Sequence, residues 1–503
     1  MKVLLTTLNS KYVHSSLALK YLFQASKGTG VNLEVKEYTI NNEYDYIFGE
    51  LIRSKADVVV FSTYIWNVEM IKALCEDLHK ARPEVKIVLG GPEVSFDAAN
   101  FLKEYSWASM IIRGEGEETF KELCRYWAGQ NVDLSSINGI TYRNNKGIME
   151  NFPRLPMEMD KVPFPYEGIE PEKDKVIYFE SSRGCPFRCS YCMSSIEKTI
   201  RPMSLERTKE QLQYFIDRKV RQVKFIDRTF NFDKKRAYEL WKFLIEQDNG
   251  TTNFHFEICA DLLDEKILKL LREARPGLFQ LEIGIQSVNP NTLKAIKRST
   301  NTARLMDNIR KLASYGNCHL HVDLIAGLPY EDETSFRTSF NQVYDLGAEE
   351  LQLGFLKLLK GTNLYNQRQE HQLNCRSKAP YQIISNKYIS ADQLVALQDL
   401  ERVLDIYHNR GGFEGTIKYF IESTGKTPYD FYKDFGSYYV DAGFHHMYHK
   451  KEDQYRILLA YGRACSYREG IDCQKVEELI IYDISSAMNE DVVKRFLKKG
   501  LEL

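Results

Sequence analysis

Residues 1–127 alternate short apolar runs with segments of helical spacing, and this pattern predicts five strand and helix units. We expect strands at 2–8, 33–40, 56–63, 86–91 and 110–114. The segments between them place apolar residues three and four apart, as at Val68, Ile71, Leu74 and Leu78. Because alternating strands and helices build a parallel sheet covered on both faces, we predict an α/β, doubly wound amino-terminal domain.

A connector is expected at 128–174. Its first part, 139–149, predicts a hairpin that turns at 144–147. Five prolines, at 153, 156, 163, 165 and 171, then keep the chain out of helix. We therefore interpret this stretch as a linker across a domain boundary.

A second series of strand and helix units occupies 175–369. Strands are predicted at 176–180, 222–226, 255–258, 281–285, 321–325 and 351–355, each nearly continuous in apolar residues, as parallel strands buried on both faces should be. Six such units predict a partial (β/α)6 barrel. Functional groups in parallel barrels lie at the carboxyl ends of the strands.

The remaining stretch, 370–503, has helical periodicity at 391–407 and is crowded with tyrosine and phenylalanine. We predict a helical domain that caps the barrel mouth and selects the substrate. His445, His446 and His449 could suggest a metal site, but no carboxylate stands at ligand spacing, and a packed aromatic core is favoured.

Composition narrows the class of protein. With 503 residues, two or three domains are expected. The 68 Lys and Arg residues nearly balance the 69 Asp and Glu residues, which gives no electrostatic argument for a nucleic-acid or membrane partner. The sequence shows no signal peptide and no run long enough to span a bilayer, so we expect a cytoplasmic protein whose 10 cysteines are thiols or metal ligands.

The strongest chemical signal is the spacing of Cys185, Cys189 and Cys192, which directly follow the first strand of the second series. Three thiolates can hold a four-iron cluster and leave one iron open to a substrate. Zinc, a disulfide or thiols that fill a core are the alternatives. Zinc sites usually pair two CxxC elements or add histidines, and neither stands nearby.

CxxxCxxC with Tyr191 before its last cysteine resembles the radical S-adenosylmethionine (radical SAM) enzymes. The resemblance implies that a 4Fe-4S cluster on these cysteines binds S-adenosylmethionine through its open iron and cleaves it to a 5'-deoxyadenosyl radical. It also implies contacts to this cofactor or to the substrate at the later strand ends. The residues concerned are Asp227, Glu257, Gln286, Ser287, Gly327 and Arg298, whose guanidinium would pair with the cofactor's carboxylate. Cys259 stands where similar proteins often have arginine.

The amino-terminal domain, placed just before this barrel, resembles the cobalamin-binding domain of cobalamin-dependent radical SAM enzymes. Small and polar residues end its predicted strands, namely Ser62, Thr63 and Tyr64, Gly90, Gly91 and Glu93, and Gly114 and Glu115. The resemblance implies that cobalamin binds over these ends. The family's cobalt-ligating motif, Asp-x-His-x-x-Gly, is missing. Tyr12 stands two residues before His14, where the motif has Asp, and Leu17 stands three residues after it, where the motif has Gly. We expect no imidazole on cobalt; the domain could instead be a relic that binds nothing.

The resemblance implies a cobalamin-dependent radical SAM enzyme, most simply a methyltransferase acting at an unactivated carbon and reduced by an electron donor such as flavodoxin or ferredoxin. Two alternatives stay open. One keeps the radical step but ends in cyclisation, rearrangement or a redox change. The other is an iron-sulfur and corrinoid sensor without turnover. The substrate itself cannot be identified from the sequence.

Overall fold

The computed structural model of the chain describes residues 1–499, so the last four residues of the predicted carboxyl-terminal domain lie outside it. Its first sheet has the order β2-β1-β3-β4-β5-β6-β7. These strands are β1 (Lys2–Asn9), β2 (Asn32–Thr39), β3 (Val58–Ser62), β4 (Lys86–Gly90), β5 (Ala108–Ile112), β6 (Ile140–Asn144) and β7 (Gly147–Glu150). The first five are parallel.

Helices cover both faces of this sheet, which confirms the doubly wound prediction. They are α1 (Leu17–Ala25), α2 (Tyr44–Arg53), α3 (Val68–Ala81), α4 (Pro92–Ser95), α5 (Ala98–Glu104) and α6 (Glu117–Trp127). Alternate residues of the central strands feed two separate apolar cores, as Val59 and Val60 do. The predicted hairpin, β6 and β7, pairs antiparallel with β5 and so extends this sheet instead of lying in a free linker.

The second sheet is parallel, with the order β15-β14-β13-β12-β11-β8. Its strands are β8 (Ile177–Phe179), β11 (Gln222–Phe225), β12 (Asn253–Ile258), β13 (Phe279–Gln286), β14 (His319–Ala326) and β15 (Glu350–Phe355). A small pair, β9 (Ser182–Arg183) and β10 (Arg201–Pro202), lies beside it. Helices α7 (Leu205–Asp217), α8 (Lys234–Glu246), α9 (Glu265–Arg272), α10 (Pro290–Ala295), α11 (Thr302–Tyr315) and α12 (Glu333–Tyr344) connect the strands.

Only one face of this second sheet is apolar. Along β13, the buried residues Leu281 and Ile283 alternate with the half-buried Glu282 and Gly284. The polar face is held by ion pairs: Glu282 lies 3.0 Å from Lys224 and 2.9 Å from His255. The expectation of strands apolar on both faces was therefore wrong, because charged side chains in these positions satisfy one another.

The carboxyl-terminal segment packs against the barrel as one continuous core. It comprises α13 (Asn363–Asn366), β16 (Asn374–Cys375), β17 (Ile383–Ser385), α14 (Ala391–Leu404), α15 (Glu414–Thr424), α16 (Pro428–Asp441), α17 (Lys451–Glu469), α18 (Cys473–Ala487) and α19 (Glu490–Lys499). Tyr429 of α16 meets Phe340 of α12 at 5.8 Å between ring centroids. Within residues 1–499, no helix is both long enough and apolar enough to cross a membrane.

The histidine trio of this segment does not form a ligand set. His449 bonds through Nε2 to the Phe444 carbonyl at 2.8 Å. Among the described residues, the one group of three potential ligand atoms within 4.8 Å of each other is formed by Asp434, Cys465 and Glu469.

Candidate functional site

The three cysteines of the CxxxCxxC motif lie on the irregular loop after β8, and none of them forms a disulfide. Cys185 and Cys189 are buried and Cys192 is half-buried. Burial raises the pKa of Cys185 and of Cys189, and the neighbouring Cys192 thiol raises each further. Such thiols need a metal or a cation to become thiolates.

The spacing of these sulfur atoms disfavours a single zinc ion. Zinc–sulfur bonds of about 2.3 Å would bring three ligand sulfurs within about 4 Å of one another. Among residues 1–499, Cys185, Cys189 and Cys192 do not form a set within 4.8 Å. A four-iron cluster spaces its ligands more widely, so the donor set fits a cluster with one open iron better than it fits zinc.

The loop is held from below by Asp227, which lies after β11. Its carboxylate accepts hydrogen bonds from the Ser181 amide at 2.7 Å, the Ser181 hydroxyl at 2.6 Å and the Ser182 hydroxyl at 2.7 Å. Burial raises the pKa of Asp227, while these hydrogen bonds oppose the rise. Asp227, predicted to contact the cofactor, thus directs both oxygens into the protein.

Further backbone contacts fix the loop's other parts. The Ser190 amide donates to the Ile296 carbonyl and the Leu364 amide donates to the Ser190 carbonyl, both at 2.8 Å. Gly184 has φ +91°, and a Cβ there would lie 2.3 Å from the Thr199 carbonyl oxygen. A side chain at position 184 would therefore displace the cysteines.

Arg298 lies against the cysteine loop. Its Nη1 is 3.7 Å from Cys189 Sγ, and it also donates to the Gly284 carbonyl. Its Nε is buried without a partner among the described residues. The nearby Cys259 thiol donates a hydrogen bond to Asp261 at 2.9 Å. Tyr191 lies beside Arg298, and burial raises the pKa of its phenol. A guanidinium edge thus remains available for an anionic group.

Gln286 is the last residue of β13 and Ser287 follows it, and the two differ in their hydrogen bonding. Gln286 has φ +73° at a bulge, and its Oε1 is buried without a partner in the described chain. A strained residue with an orphan acceptor is typical of a ligand contact. Ser287, by contrast, is buried and donates to Glu331 at 2.7 Å.

Two further predicted positions lie at the ends of β12 and β14. Glu257 has no hydrogen-bond or ion-pair partner in the part of the chain that the structure describes; burial raises its pKa to about 7, Glu282 adds to this and Arg228 opposes it. Gly327 has φ +87°, and its carbonyl accepts from Asn386 at 2.8 Å. Glu257 is available to a ligand, while Gly327 lies against Ile383 of β17 in the carboxyl-terminal segment.

The carboxyl ends of β3 and β4 in the amino-terminal sheet lie close together and are joined by hydrogen bonds. The amide and hydroxyl of Thr63 both donate to the Gly90 carbonyl, at 2.7 and 2.6 Å. Gly91 has φ +110°, and a Cβ there would lie 2.3 Å from the Thr63 carbonyl. Ser62 is buried, and Tyr64 stacks on Trp66 with 4.4 Å between ring centroids. The backbone conformation and the close contact with Thr63 therefore explain, without any ligand, why residue 91 is glycine.

Two predicted carboxylates of this sheet bind protein groups. Glu93 accepts from the Tyr381 hydroxyl of the carboxyl-terminal segment. Glu115 accepts from the Met157 amide at 2.8 Å and lies 3.2 Å from Arg183 Nη1. Gly114 has φ +74° and open space around its Cα. Sequence reasoning missed Arg183, although its position just before Gly184 and Cys185 was a usable signal.

His14 contacts the first strand of the barrel. Its Nδ1 lies 2.7 Å from the Tyr178 hydroxyl of β8. Burial lowers the pKa of His14, and nearby lysines lower it further, which keeps the imidazole neutral.

Three family models match successive parts of the chain. Residues 3–124 match the B12 binding domain, residues 179–343 match the radical SAM superfamily and residues 369–502 match a protein family of unknown function, DUF4080. The first two matches confirm the sequence-based assignment of the sheet domain and of the barrel.

Curated relatives and solved structures agree with these matches. An uncharacterized methyltransferase of Pyrococcus horikoshii is 28% identical over 291 residues, 56% of this chain and 62% of the relative. The cobalamin-dependent radical SAM methyltransferase TokK of Streptomyces tokunonensis is 25% identical over 316 residues, 58% of this chain and 46% of TokK. The chain thus spans less than two thirds of either relative.

The fold is also that of solved cobalamin-dependent radical SAM proteins. OxsB, solved with aqua-cobalamin and S-adenosylmethionine, superposes with a TM-score of 0.62 at 16% identity, over 100% of this chain and 81% of OxsB. TsrM from Kitasatospora setae, solved with cobalamin and a [4Fe-4S] cluster, superposes with a TM-score of 0.61 at 16% identity, over 75% of this chain and 76% of TsrM.

Replacing any cysteine of the motif should remove the cluster. We expect Cys185→Ala, Cys189→Ala and Cys192→Ala each to lose most of the iron and all formation of 5'-deoxyadenosine, because each of the three thiolates would bind one iron of the cluster. Iron content and product formation after anaerobic reconstitution measure this. Cys465→Ala and Cys473→Ala are the controls and should keep both. A full cluster in Cys189→Ala would refute the assignment.

Removing the guanidinium of Arg298 should weaken the binding of S-adenosylmethionine. We expect Arg298→Ala to cost about 1 to 3 kcal/mol of cofactor affinity, with the cluster retained, because a charge-assisted pair is lost. Equilibrium binding to the reconstituted protein measures it, and the exposed Lys294, replaced by alanine, is the control. Equal affinities for wild type and Arg298→Ala would show that Arg298 only supports the loop.

Proposed function

Because the chain is a radical SAM protein with an amino-terminal B12 binding domain, we propose that it is a cobalamin-dependent enzyme that methylates an unactivated carbon of its substrate. The observation that carries the proposal is the placement of the cysteine loop. The loop leaves the carboxyl end of β8, and Arg183 beside it contacts the loop that follows β5 of the amino-terminal sheet. In this proposal both cofactor sites would lie along one domain boundary.

The residues present fit the expected cofactors. Cys185, Cys189 and Cys192 would hold the cluster, and its open iron would take the amino and carboxylate groups of S-adenosylmethionine. Arg298 supports this role with its unpartnered Nε, and Gln286 with its unpartnered Oε1. Tyr191 lies beside Arg298 and would contact the bound cofactor from there. With these groups bound, the cluster supplies the electron that cleaves S-adenosylmethionine and cobalamin supplies a methyl carrier.

Ser287 and Asp227 would act through other groups. Ser287 fixes Glu331 beneath the β13 end, and Asp227 fixes Ser181 and Ser182 beneath the cysteines. Glu257 differs from both, because it has no partner in residues 1–499 and faces the polar side of the sheet. We assign Glu257 to binding a hydrogen-bond donor of the cofactor or the substrate.

Cobalamin would lie over the ends of β3 and β4, past Ser62, Thr63, Tyr64, Gly90 and Gly91. Gly114 adds open space at the end of β5. Glu93 and Glu115 would shape this crevice from its rim, since both carboxylates are engaged by protein groups. A reductant such as flavodoxin or ferredoxin and a cytoplasmic setting complete the proposal; the carboxyl-terminal segment, 370–503, would select the substrate.

One relative favours a second outcome. An anaerobic magnesium-protoporphyrin IX monomethyl ester cyclase of Rubrivivax gelatinosus is 24% identical over 324 residues, 60% of this chain and 56% of the cyclase. A cyclisation would use the same radical step and would leave no new carbon on the substrate. A corrinoid sensor would carry both cofactors without turnover.

A labelled methyl donor separates these outcomes without knowledge of the substrate. The reconstituted, reduced protein is incubated with hydroxocobalamin and S-adenosylmethionine carrying a CD3 group. We expect the label to be recovered with the extracted cobalamin, and 5'-deoxyadenosine to form. Formation of 5'-deoxyadenosine without label on cobalamin would favour the cyclase-like outcome. Neither product would favour the sensor. Cys189→Ala is the matched control for radical formation.

Cobalt should carry no protein imidazole. We expect His14→Ala to leave the absorbance and the electron paramagnetic resonance of bound cob(II)alamin unchanged, because His14 bonds to Tyr178 and lacks the orienting Asp and the Gly of the ligating motif. Tyr178→Phe, which frees the imidazole, is the companion variant. Loss of a nitrogen hyperfine pattern in His14→Ala would contradict this expectation.

A further inference from the structure

Arg183 is the centre of a buried ionic cluster that joins the two cofactor domains. Its Nε lies 2.9 Å from Glu180, its Nη2 lies 2.6 Å from Glu117 and its Nη1 lies 3.2 Å from Glu115. Only 11% of the Arg183 side chain and 6% of the Glu117 side chain are exposed. Three edges of one planar guanidinium are thus each matched to a different carboxylate, an arrangement that a lysine ammonium cannot reproduce.

The carboxylates come from opposite sides of the domain boundary. Glu115 and Glu117 belong to the loop after β5 and to the first turn of α6, in the B12 binding domain. Glu180 and Arg183 belong to the barrel and flank the start of the cysteine loop. The ring of Tyr21, on α1 of the B12 binding domain, lies 5.4 Å from the guanidinium carbon.

A second arginine, which follows the cysteines in the sequence, lies opposite Arg183 in the β9–β10 pair. Arg201 of β10 pairs with Glu115 and with Glu197. The Glu197 carbonyl accepts a hydrogen bond from the Cys185 amide at 3.4 Å. Glu115 therefore contacts both arginines, one before and one after the cysteine motif. We call Arg183, Arg201, Glu115, Glu117, Glu180 and Glu197 the arginine clasp.

Stabilisation of the folded state does not by itself explain why the clasp is made of ion pairs. Buried ion pairs pay a large desolvation cost, and apolar packing of the same volume is often at least as stable. What ion pairs add is a defined geometry, because each guanidinium edge fits only one arrangement of oxygens. A defined geometry matters here, since the cysteine loop has little regular secondary structure and its neighbour is the other cofactor's domain.

We propose that the arginine clasp sets the position of the cluster relative to cobalamin, with Arg183 and Glu117 as its positioning residues. The inference rests on the proposed function in that it requires both cofactors to bind. It reassigns Glu115 from a cofactor contact to a support of the cysteine loop. Neither Arg183 nor Glu117 needs to touch a cofactor for this role.

The distance between the two metal centres tests the proposal without turnover. The reduced cluster and cob(II)alamin are both paramagnetic, so pulsed electron paramagnetic resonance can report their separation in the full-length holoprotein. We expect one narrow distance distribution for wild type. Arg183→Lys and Glu117→Gln should each broaden or shift it while iron and cobalamin contents stay near those of wild type.

Arg275→Lys alters a pair of similar length, 2.7 Å to Asp248, that lies within the barrel alone, and it should leave the distribution unchanged. If Arg183→Lys fails to fold, Glu117→Gln alone decides, because it removes a charge without changing shape. An unaltered distribution in Glu117→Gln with both cofactors bound overturns the proposal. A wild-type protein that takes up no cobalamin overturns the proposed function itself, and this inference with it.

Discussion

A loop that offers three thiols to one cluster has almost no regular hydrogen bonding of its own, so the surrounding protein must hold it in place. Asp227 binds the loop's first residues from below, and backbone bonds to Ile296 and Leu364 fix its middle. The contact of Gly184 with Thr199 leaves no room for a side chain. Each of these supports comes from a different element, which ties the cysteines to the fold of the whole barrel.

The polar residues at the strand ends are of two kinds. Some hydrogen-bond to other protein groups, and others lack a partner in the described chain. Asp227, Ser287 and Glu115 have their hydrogen bonds satisfied within the protein. Gln286 and Glu257 do not: one is strained with an orphan oxygen and the other lacks a partner within residues 1–499. Buried polar groups without partners are costly, so those that persist are the best candidates for ligand contacts.

The sequence predicted the two parallel sheets, the cysteine loop and the positions of the strand ends, because these depend on local periodicity and spacing. It could not predict what each strand-end residue faces. Asp227 and Glu257 look alike in sequence, yet one binds serines and the other lacks a partner in the described chain. Arg183 was missed because its partners Glu115 and Glu117 lie more than 60 residues away. The hairpin joined the first sheet through pairing with β5, a contact between distant segments.

The proposed function requires both cofactors to bind along the boundary between the B12 binding domain and the barrel. An anaerobic crystal structure of the reconstituted protein with the cluster, S-adenosylmethionine and hydroxocobalamin tests it most directly. The account predicts a cluster on Cys185, Cys189 and Cys192, S-adenosylmethionine against Arg298 and Gln286, and a corrin ring between the strand ends without His14 on cobalt. A corrin bound elsewhere, or coordinated by His14, would contradict it.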